Sequence, residues 1–194
     1  TCHLGGSSSL AAVKDGKGVD TTIGMSLQTG LPHNNRIGDI DPYLTFYLHD
    51  SLGMSLEEIK TVYAQESGLK GLSGGLSDDF RVIQEAAWEG NPAARTAVDA
   101  FAYQIRKQIG AYAAALGGLD ALAFAGGIGQ NNPALREAAT KGLSFLGIRL
   151  DPKKNEQAAP GSLISSEGSP VRVYVVATNE EIIIARKALV FLTA

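Results

Sequence analysis

The stretch AFAGGIGQNNP, residues 123–133, leads from an apolar, strand-like segment into three glycines and then into what resembles the start of a helix. Glycine-rich turns in this position can hold phosphate groups, and two such loops have strict patterns. The dinucleotide pattern G-x-G-x-x-G would need a glycine at Asn132, and a P-loop would need Gly-Lys followed by Ser or Thr. Because neither pattern is present, the stretch alone predicts a strand–turn–helix junction. It leaves open whether a phosphate, another part of a nucleotide or no ligand binds there.

The elements on both sides of this junction predict an α/β protein. Before it, Asn91 and Pro92 cap a long helix whose apolar residues recur every three or four positions. After it, residues 132–147 have a helical pattern, residues 171–178 are a β-branched run typical of a covered strand, and residues 179–192 form a closing helix. Strands and helices that alternate at this spacing indicate a layered α/β architecture.

The first half of the chain carries its own turn and helix signals. Two β-like runs surround an Asp-Gly-Lys-Gly turn at residues 15–18 and predict a hairpin. Asp41, followed by a proline, predicts the start of a short helix, and Ser55 with Glu58 has the spacing of a capping box for another. The stretches predicted to be loops are residues 68–80 and 151–170.

The overall composition excludes several classes of protein. With 194 residues, 44% hydrophobic and 19% charged, the chain has ordinary globular composition. The net charge of -3 and the absence of a Lys/Arg run argue against nucleic acid as a partner. Cys2 is the only cysteine, and no apolar run approaches the roughly 20 residues that span a bilayer. We therefore expect a cytoplasmic protein that does not contact membranes.

Two glycine-containing segments carry groups suited to bind phosphate. In HLGGSSS, residues 3–9, His3 stands at the end of a predicted strand, and the glycines leave backbone amides accessible to an anion. In NNRIGDIDP, residues 34–42, the guanidinium of Arg36 can bind an anion in a bidentate manner. Each segment also has a structural explanation: a hairpin edge with a surface histidine, or an arginine paired with a loop aspartate.

The segment LSDDFRVI, residues 76–83, places polar side chains at the start of a helix. Its Asp-Phe-Arg sequence offers a carboxylate for a ribose hydroxyl and a flat face for a base. The structural alternative is a helix cap at Ser77 or Asp78, with the phenylalanine in the core.

The segment ATNEEIII, residues 177–184, follows a predicted central strand. Thr178 and Glu181 have capping-box spacing, which leaves Glu180 without a structural role and well placed to bind water on Mg²⁺. A solvated glutamate that complements the helix dipole is the alternative.

Taken in order along the chain, six motifs closely resemble the acetokinase family of acetate, propionate and butyrate kinases. They are HLGG, DTTIG, GLPHNNRIGDIDP, SGLKGLSGGLSDDFR, IGAYAAALGGLDALAFAGGIGQN and VVATNEEIIIAR. The resemblance implies an RNase H-like domain of the actin, Hsp70 and sugar-kinase superfamily, with a mixed central sheet flanked by helices. It identifies residues 1–194 as a C-terminal nucleotide-binding domain whose N-terminal companion half is absent.

The resemblance also implies a reaction, the reversible in-line transfer of a phosphoryl group from ATP to acetate or propionate. We expect this piece alone to be incompetent in that reaction and the full protein to be a homodimer, in which the apolar stripe of residues 94–116 is either internal or partly an interface. A domain that binds ATP without catalysis is the alternative, although an anion-binding arginine and histidine favour the enzyme.

The resemblance assigns roles to individual residues. His3 and Arg36 are the catalytic residues at the transferring phosphoryl group, and Glu180 belongs to the Mg²⁺ or Mn²⁺ site. The remaining nucleotide-binding residues are Gly5, Gly6, Ser7, Asp79, Phe80, Arg81, Gly127, Ile128, Gly129 and Asn131. By this resemblance, GGIGQN seats the base and sugar, and the phosphates lie nearer HLGGSSS.

Four positions depart from the family's usual pattern. The family commonly has H-L-G-N-G, where this chain has Gly6 in place of the asparagine and Ser7 in place of the second glycine. Thr29 lies in SLQTG, where a proline and Leu-Glu-Gly are usual, and Gln130 replaces a glutamate. These departures leave the acyl specificity and the strength of nucleotide binding undetermined by the resemblance.

Overall fold

The computed structural model describes residues 1–192, without the side chains of Glu180, Val190 and Leu192. Five strands form one sheet in the order β3-β2-β1-β4-β5. Strand β1 is antiparallel to β2 and parallel to β4, so the sheet is mixed, as predicted. The strands are β1 Cys2–Leu4, β2 Ser8–Lys14, β3 Lys17–Thr21, β4 Ala121–Ala125 and β5 Arg172–Val175.

Helices connect and cover the strands. The α-helices are α1 Tyr43–Phe46, α2 Leu56–Gln65, α3 Gly68–Leu72, α4 Phe80–Trp88, α5 Pro92–Leu116, α6 Gly126–Asn131, α7 Pro133–Thr140, α8 Pro152–Glu156 and α9 Glu180–Leu192. A π-helical turn, Tyr47–Ser51, follows α1, and a 3-10 turn, Leu143–Leu146, follows α7. In the described part of the chain, every helix is too short or too polar to cross a membrane.

The predicted hairpin turn and two predicted helix caps are confirmed. The hairpin between β2 and β3 turns at Asp15 and Gly16, whose φ angles of 52° and 74° lie in the left-handed region that Asp and Gly tolerate. Ser55 and Glu58 form the complete capping box of α2. Asn91 accepts two backbone hydrogen bonds at the start of α5, each 3.0 Å long.

The prediction of a loop over residues 68–80 is wrong at its start, where α3 forms. This helix begins at Gly68, whose φ is 60° and where a Cβ atom would collide with the carbonyl oxygen of His33. The Leu69 amide donates to that same oxygen, and the Lys70 amide donates to the oxygen of Asn34, both at 2.8 Å. A distant loop therefore satisfies the first amides of α3, and the local sequence gives no sign of it.

Two helix caps correct further predictions. Residues 151–170 were expected to be loop, but Asp151 accepts two amides and begins the short helix α8. At the start of α9, Asn179 Oδ1 accepts the Ile182 amide at 3.1 Å. The capping position therefore falls on Asn179, one residue after Thr178, and the predicted capping box does not describe this helix start.

The long helix α5 forms the centre of the core. It packs against β2, α3, α4 and α7, and its apolar stripe faces inward. Phe101 and Ile105 are fully buried, and the Phe101 ring lies 5.5 Å from that of Phe80 on α4. Most residues of this stripe are buried within the domain, whereas Val98 and Leu116 are only partly buried.

Two other segments leave apolar side chains exposed. The first surrounds α1 and the turn after it, where no residue is buried. The second is α9, whose described side chains are all exposed. The most exposed large apolar residues are Tyr43, Phe46, Tyr47 and Leu52 in the first segment, and Ile183, Ile184, Leu189 and Phe191 in the second. Exposed apolar surface of this extent is typical of contact surfaces.

The stretch at residues 123–133 is a tight turn from β4 directly into α6. Gly126 has a φ of 77°, and a Cβ atom there would collide with the backbone of Leu4 on β1. Glycine at this position lets α6 lie against both β1 and β4 at their carboxyl ends. The glycines were expected to form a loop, but they are the first residues of a short helix.

Candidate active site

A cavity of about 800 Å³ lies at the carboxyl ends of the neighbouring parallel strands β1 and β4. Ligands of open α/β sheets bind at this edge, because the loops after the strands meet there. The predicted nucleotide-binding residues that line it are Gly5, Gly6, Asp79, Phe80, Arg81, Gly127, Ile128 and Asn131. The fold therefore brings together three segments that are far apart in sequence.

One end of the cavity is the turn between β1 and β2. Gly5 and Gly6 line it, whereas the predicted site residues Ser7, Arg36 and His3 are not among its lining residues. The Arg36 guanidinium donates a hydrogen bond through Nη2 to the Ser7 hydroxyl. His3 Nε2 lies 3.9 Å from the position that a Cβ atom at Gly5 would occupy. The guanidinium and the imidazole thus each lie near the glycine turn, and both groups are suited to bind an anion.

The other end of the cavity is the start of α4. Asp79 caps this helix by accepting the Arg81 amide at 2.9 Å, so the cap lies one residue beyond Asp78 and two beyond Ser77, the two predicted positions. Asp79 also forms an ion pair of 2.6 Å with the Arg81 guanidinium. Hydrogen bonds from Arg81 lower the pKa of the Asp79 carboxyl, which therefore remains an acceptor at neutral pH. Phe80 borders the cavity but is 2% exposed and belongs mainly to the core.

Helix α6 and Trp88 also contribute to the lining of the cavity. Gly127, Ile128 and Asn131 line the cavity from α6, and the exposed indole of Trp88 lines it from α4. Gly129 does not line the cavity. It is buried, and a Cβ atom there would lie 3.6 Å from Leu4 Cβ and from the Phe124 backbone, so glycine allows close packing of α6 on the sheet.

The predicted metal residue is only partly described. Glu180 is the first residue of α9, but its side chain lies outside the described part of the structure. Among the side chains that are described, no group of three or more His, Cys, Asp or Glu residues forms a metal cluster. A second cavity of about 550 Å³ opens beside the start of β4, at Asp120 and Ala121, and contains none of the predicted site residues.

Residues 1–186 match the sequence model of the Acetokinase family. The chain belongs to this family. An acetate kinase of Clostridium botulinum is 47% identical over 186 residues, which are 96% of this chain and 47% of that protein. The chain thus spans about half the length of the curated relatives it matches.

Solved structures of the acetokinase family agree with the fold. The acetate kinase of Porphyromonas gingivalis superposes with a TM-score of 0.93 at 39% identity, covering 98% of this chain and 48% of that one. A propionate kinase of Francisella tularensis superposes with a TM-score of 0.88 at 37% identity, covering 95% and 47%. The predicted fold of the actin, Hsp70 and sugar-kinase superfamily is therefore confirmed.

His33, in the loop that carries Arg36, has a structural role that the sequence does not indicate. It is fully buried, and its Nδ1 accepts the Ser8 amide at 2.9 Å, while Nε2 lies 3.3 Å from the carbonyl oxygen of Thr29. These partners place the ring proton on Nε2. Burial, together with the nearby Arg36 charge, lowers the pKa of His33. The neutral imidazole therefore joins the glycine turn to the loop that carries Arg36.

We expect the His33→Ala variant to be less stable and to lose part of the parent's sensitivity to acid. The free energy of unfolding should fall by about 2–3 kcal/mol at neutral pH, because the buried Ser8 amide loses its acceptor. The folded state holds His33 neutral, so its contribution is complete above the ordinary pKa of 6.5 and is lost as the pH falls through the lower folded value. Urea unfolding at several pH values measures both effects.

The matched control is His49→Ala. His49 is exposed, and its ring bonds only the Met54 carbonyl oxygen among the described contacts, so we expect a change below about 0.5 kcal/mol. An acid dependence that is identical in the parent and in His33→Ala would contradict the role given to His33.

Arg136 is a second residue that was missed. Its side chain is 1% exposed and makes four hydrogen bonds, two to the Gly129 and Gln130 carbonyl oxygens at the end of α6 and two to Asn155 on α8. Burial lowers the pKa of this guanidinium. Because its guanidinium donates to two carbonyl oxygens near the end of α6, Arg136 holds in place a helix that lines the cavity. An arginine inside a predicted helix carries no local sign of such burial.

Proposed function

We propose that this chain is the C-terminal, nucleotide-binding domain, residues 1–194, of a carboxylate kinase that transfers a phosphoryl group reversibly between ATP and acetate or propionate. The observation that carries the proposal is the cavity at the carboxyl ends of β1 and β4, with the start of α4 at one end and the glycine turn beside Arg36 at the other. The names of its relatives, acetate and propionate kinases, support the same reaction.

In the proposed mechanism, a carboxylate oxygen attacks the terminal phosphorus of ATP in line with the bond that breaks, and ADP leaves with the bridging oxygen. Such a transfer requires alignment of the two substrates and neutralisation of charge on the transferred group. Arg36 neutralises the equatorial oxygens, and His3 donates a hydrogen bond to the same group. The Gly6 amide binds the phosphates, whereas the Gly5 amide already donates to the Ser8 hydroxyl at 3.3 Å. No covalent protein nucleophile takes part.

Mg²⁺ or Mn²⁺ is part of the proposal, with Glu180 as its residue. Strand β5 is parallel to β4, so the segment after β5 begins at the same edge of the sheet as the cavity. Sites for Mg²⁺ in kinases commonly use one or two carboxylates together with substrate phosphates, and a single glutamate fits that donor set. When bound, the ion would neutralise charge on the phosphates.

The chain alone is proposed to bind ATP weakly and to transfer no measurable phosphate. It spans about half the length of its relatives, and half of a cleft cannot exclude water or hold both substrates in line. We place the reaction in the cytoplasm, in agreement with a single buried cysteine that has no disulfide partner in the described chain.

We also propose that the protein is a homodimer. The observation that supports this proposal is the exposed apolar surface around α1. Tyr43 is 76% exposed and Leu52 58% exposed, and the Tyr43 ring packs edge-on against that of Phe46 at 5.6 Å. Aromatic side chains are enriched at subunit interfaces. Analytical ultracentrifugation tests this part of the proposal, which a monomer at micromolar concentration would overturn.

The proposed function is tested first by nucleotide binding. Trp88 is the only tryptophan, and its indole lines the cavity, so ATP should change its fluorescence in a saturable way. The Trp88→Phe variant should retain affinity in calorimetry and lose the optical signal. A parent chain without saturable ATP binding would overturn the proposal.

The reaction itself is tested with the full-length gene product. Hydroxylamine traps acyl phosphates as hydroxamates, so ATP with acetate or propionate should yield the corresponding hydroxamate. Normal ATP binding without hydroxamate from any short carboxylate would instead favour a binding domain. Addition of the other half in trans should restore turnover to this chain, and robust turnover by the chain alone would contradict the proposed incompetence.

A further inference from the structure

We infer that Asn34 binds the phosphates of the nucleotide with its side-chain amide. The inference rests on the proposed function and adds to it a residue that neither the motif pattern nor the residue types assign. Two observations carry it: the way the loop is held, and the position of the carboxamide in the cavity lining beside Gly6.

The backbone of Asn34 is held from two sides. Its amide donates to the Gly6 carbonyl oxygen at 3.3 Å, and its own carbonyl oxygen accepts the Lys70 amide at 2.8 Å. The preceding residue, His33, is fully buried and bonded to Ser8. Asn34 therefore has a fixed backbone position against the glycine turn. A residue held in this way loses little conformational entropy when it binds a ligand.

The side chain of Asn34 lines the same cavity as Gly5 and Gly6. Its Nδ2 lies 3.8 Å from the position that a Cβ atom at Gly6 would occupy. A longer side chain at Gly6 would extend into the space that this amide uses, so the glycine keeps the amide accessible from the cavity. The family pattern H-L-G-N-G usually carries a carboxamide at the position of Gly6, and in this chain Asn34 provides one from the opposite side of the turn.

The hydrogen bonding of this carboxamide is incomplete. Asn34 Oδ1 is buried and has no partner among the described residues. As an acceptor, Oδ1 would pair with a donor such as a hydroxyl group and not with a phosphate oxygen, so only the Nδ2 end of the carboxamide can contact a phosphate. Because Arg36 lies two residues away and bonds Ser7 on the same turn, the groups around Asn34 favour an anion, and Nδ2 is a neutral donor that fits a phosphate oxygen.

The test compares the affinities of ADP and adenosine for the chain, measured by calorimetry. Asn34→Ala should weaken ADP binding by about 10-fold, the effect of one hydrogen bond to a charged group, and should leave adenosine binding unchanged. Asn34→Asp keeps the shape but places a carboxylate near the phosphates, so it should weaken ADP binding more than alanine does. That excess should shrink as salt is added.

The neighbouring Asn35→Ala is the matched control and should bind ADP like the parent. The double variant Gly6→Asn, Asn34→Gly moves the carboxamide to the other side of the turn, and should bind ADP more tightly than Asn34→Gly alone. Thermal unfolding verifies that each variant folds. If one variant does not fold, the other Asn34 substitutions test the inference.

The possible results separate this inference from the proposed function. If the parent binds neither ADP nor adenosine, the proposed function fails and the inference fails with it. If the parent binds ADP but Asn34→Ala and Asn34→Asp bind it equally well, the inference alone is overturned. An equal loss for ADP and adenosine would also overturn it, because the side chain would then act on the nucleoside or on the fold.

Discussion

Replacement of Arg36 by alanine in the full-length gene product is expected to lower turnover by about 100- to 1000-fold, the usual cost of removing a donor that stabilises charge in a transition state. Arg36 bonds the glycine turn, where the transferred phosphoryl group is proposed to lie. The residues proposed to bind the nucleoside, Asp79, Phe80 and Arg81, belong to a different segment of the cavity lining. Nucleotide affinity should therefore change little. Initial rates of hydroxamate formation and calorimetry with ADP measure the two quantities separately.

Arg81→Ala provides the contrast for this experiment. Arg81 carries the same charge but lies at the other end of the cavity, paired with Asp79. Its loss should raise the concentration of ATP needed for half-maximal rate and should affect the maximal rate less. If Arg36→Ala turns over as fast as the parent, the catalytic role proposed for Arg36 is wrong.

The largest expected effect on stability is that of Arg136→Met. Methionine fills much of the same volume but leaves the Gly129 and Gln130 carbonyl oxygens, and both acceptors of Asn155, without their donor. We expect the free energy of unfolding to fall by about 3–5 kcal/mol, since each buried acceptor left unpaired is unfavourable. Urea unfolding followed by circular dichroism measures this loss.

Arg95→Met is the matched control for Arg136→Met. Arg95 is also on a helix, α5, but its side chain is exposed, so the change should be within about 0.5 kcal/mol. Because Arg136 holds the end of α6, its variant should also bind nucleotide more weakly wherever it remains folded. A loss of stability no larger than that of the control would show that the four hydrogen bonds contribute little.

Features of the fold that depend on residues close in sequence were predictable. The cap of α5 at Asn91, the box of Ser55 with Glu58 and the turn at Asp15 each involve partners within three residues. Helix α3 was missed because its first amides bond to a loop more than 30 residues earlier, at His33 and Asn34. A pattern read along the chain contains no information about such a partner.

The same distinction applies to the candidate site. The motifs identified the three segments that line the cavity. Glycines and charged residues in loops either form turns, caps and ion pairs or bind ligands, so they mark candidate sites in the sequence. His33, Asn34 and Arg136 were not assigned, because their roles arise from contacts with Ser8, Gly6 and Asn155 that only the folded chain creates. The side chain of Glu180 remains a prediction from the family pattern.

The exposed apolar side of α9 bears on the lifetime of the chain in a cell. Ile184 is 67% exposed and Phe191 is 85% exposed, and such segments are what chaperones and proteases of cellular quality control recognise. A copy of this chain without a covering surface over α9 is therefore expected to be degraded quickly. The abundance of the chain would then depend on the concentration of the partner surface that covers α9 rather than on the rate at which the chain is synthesised.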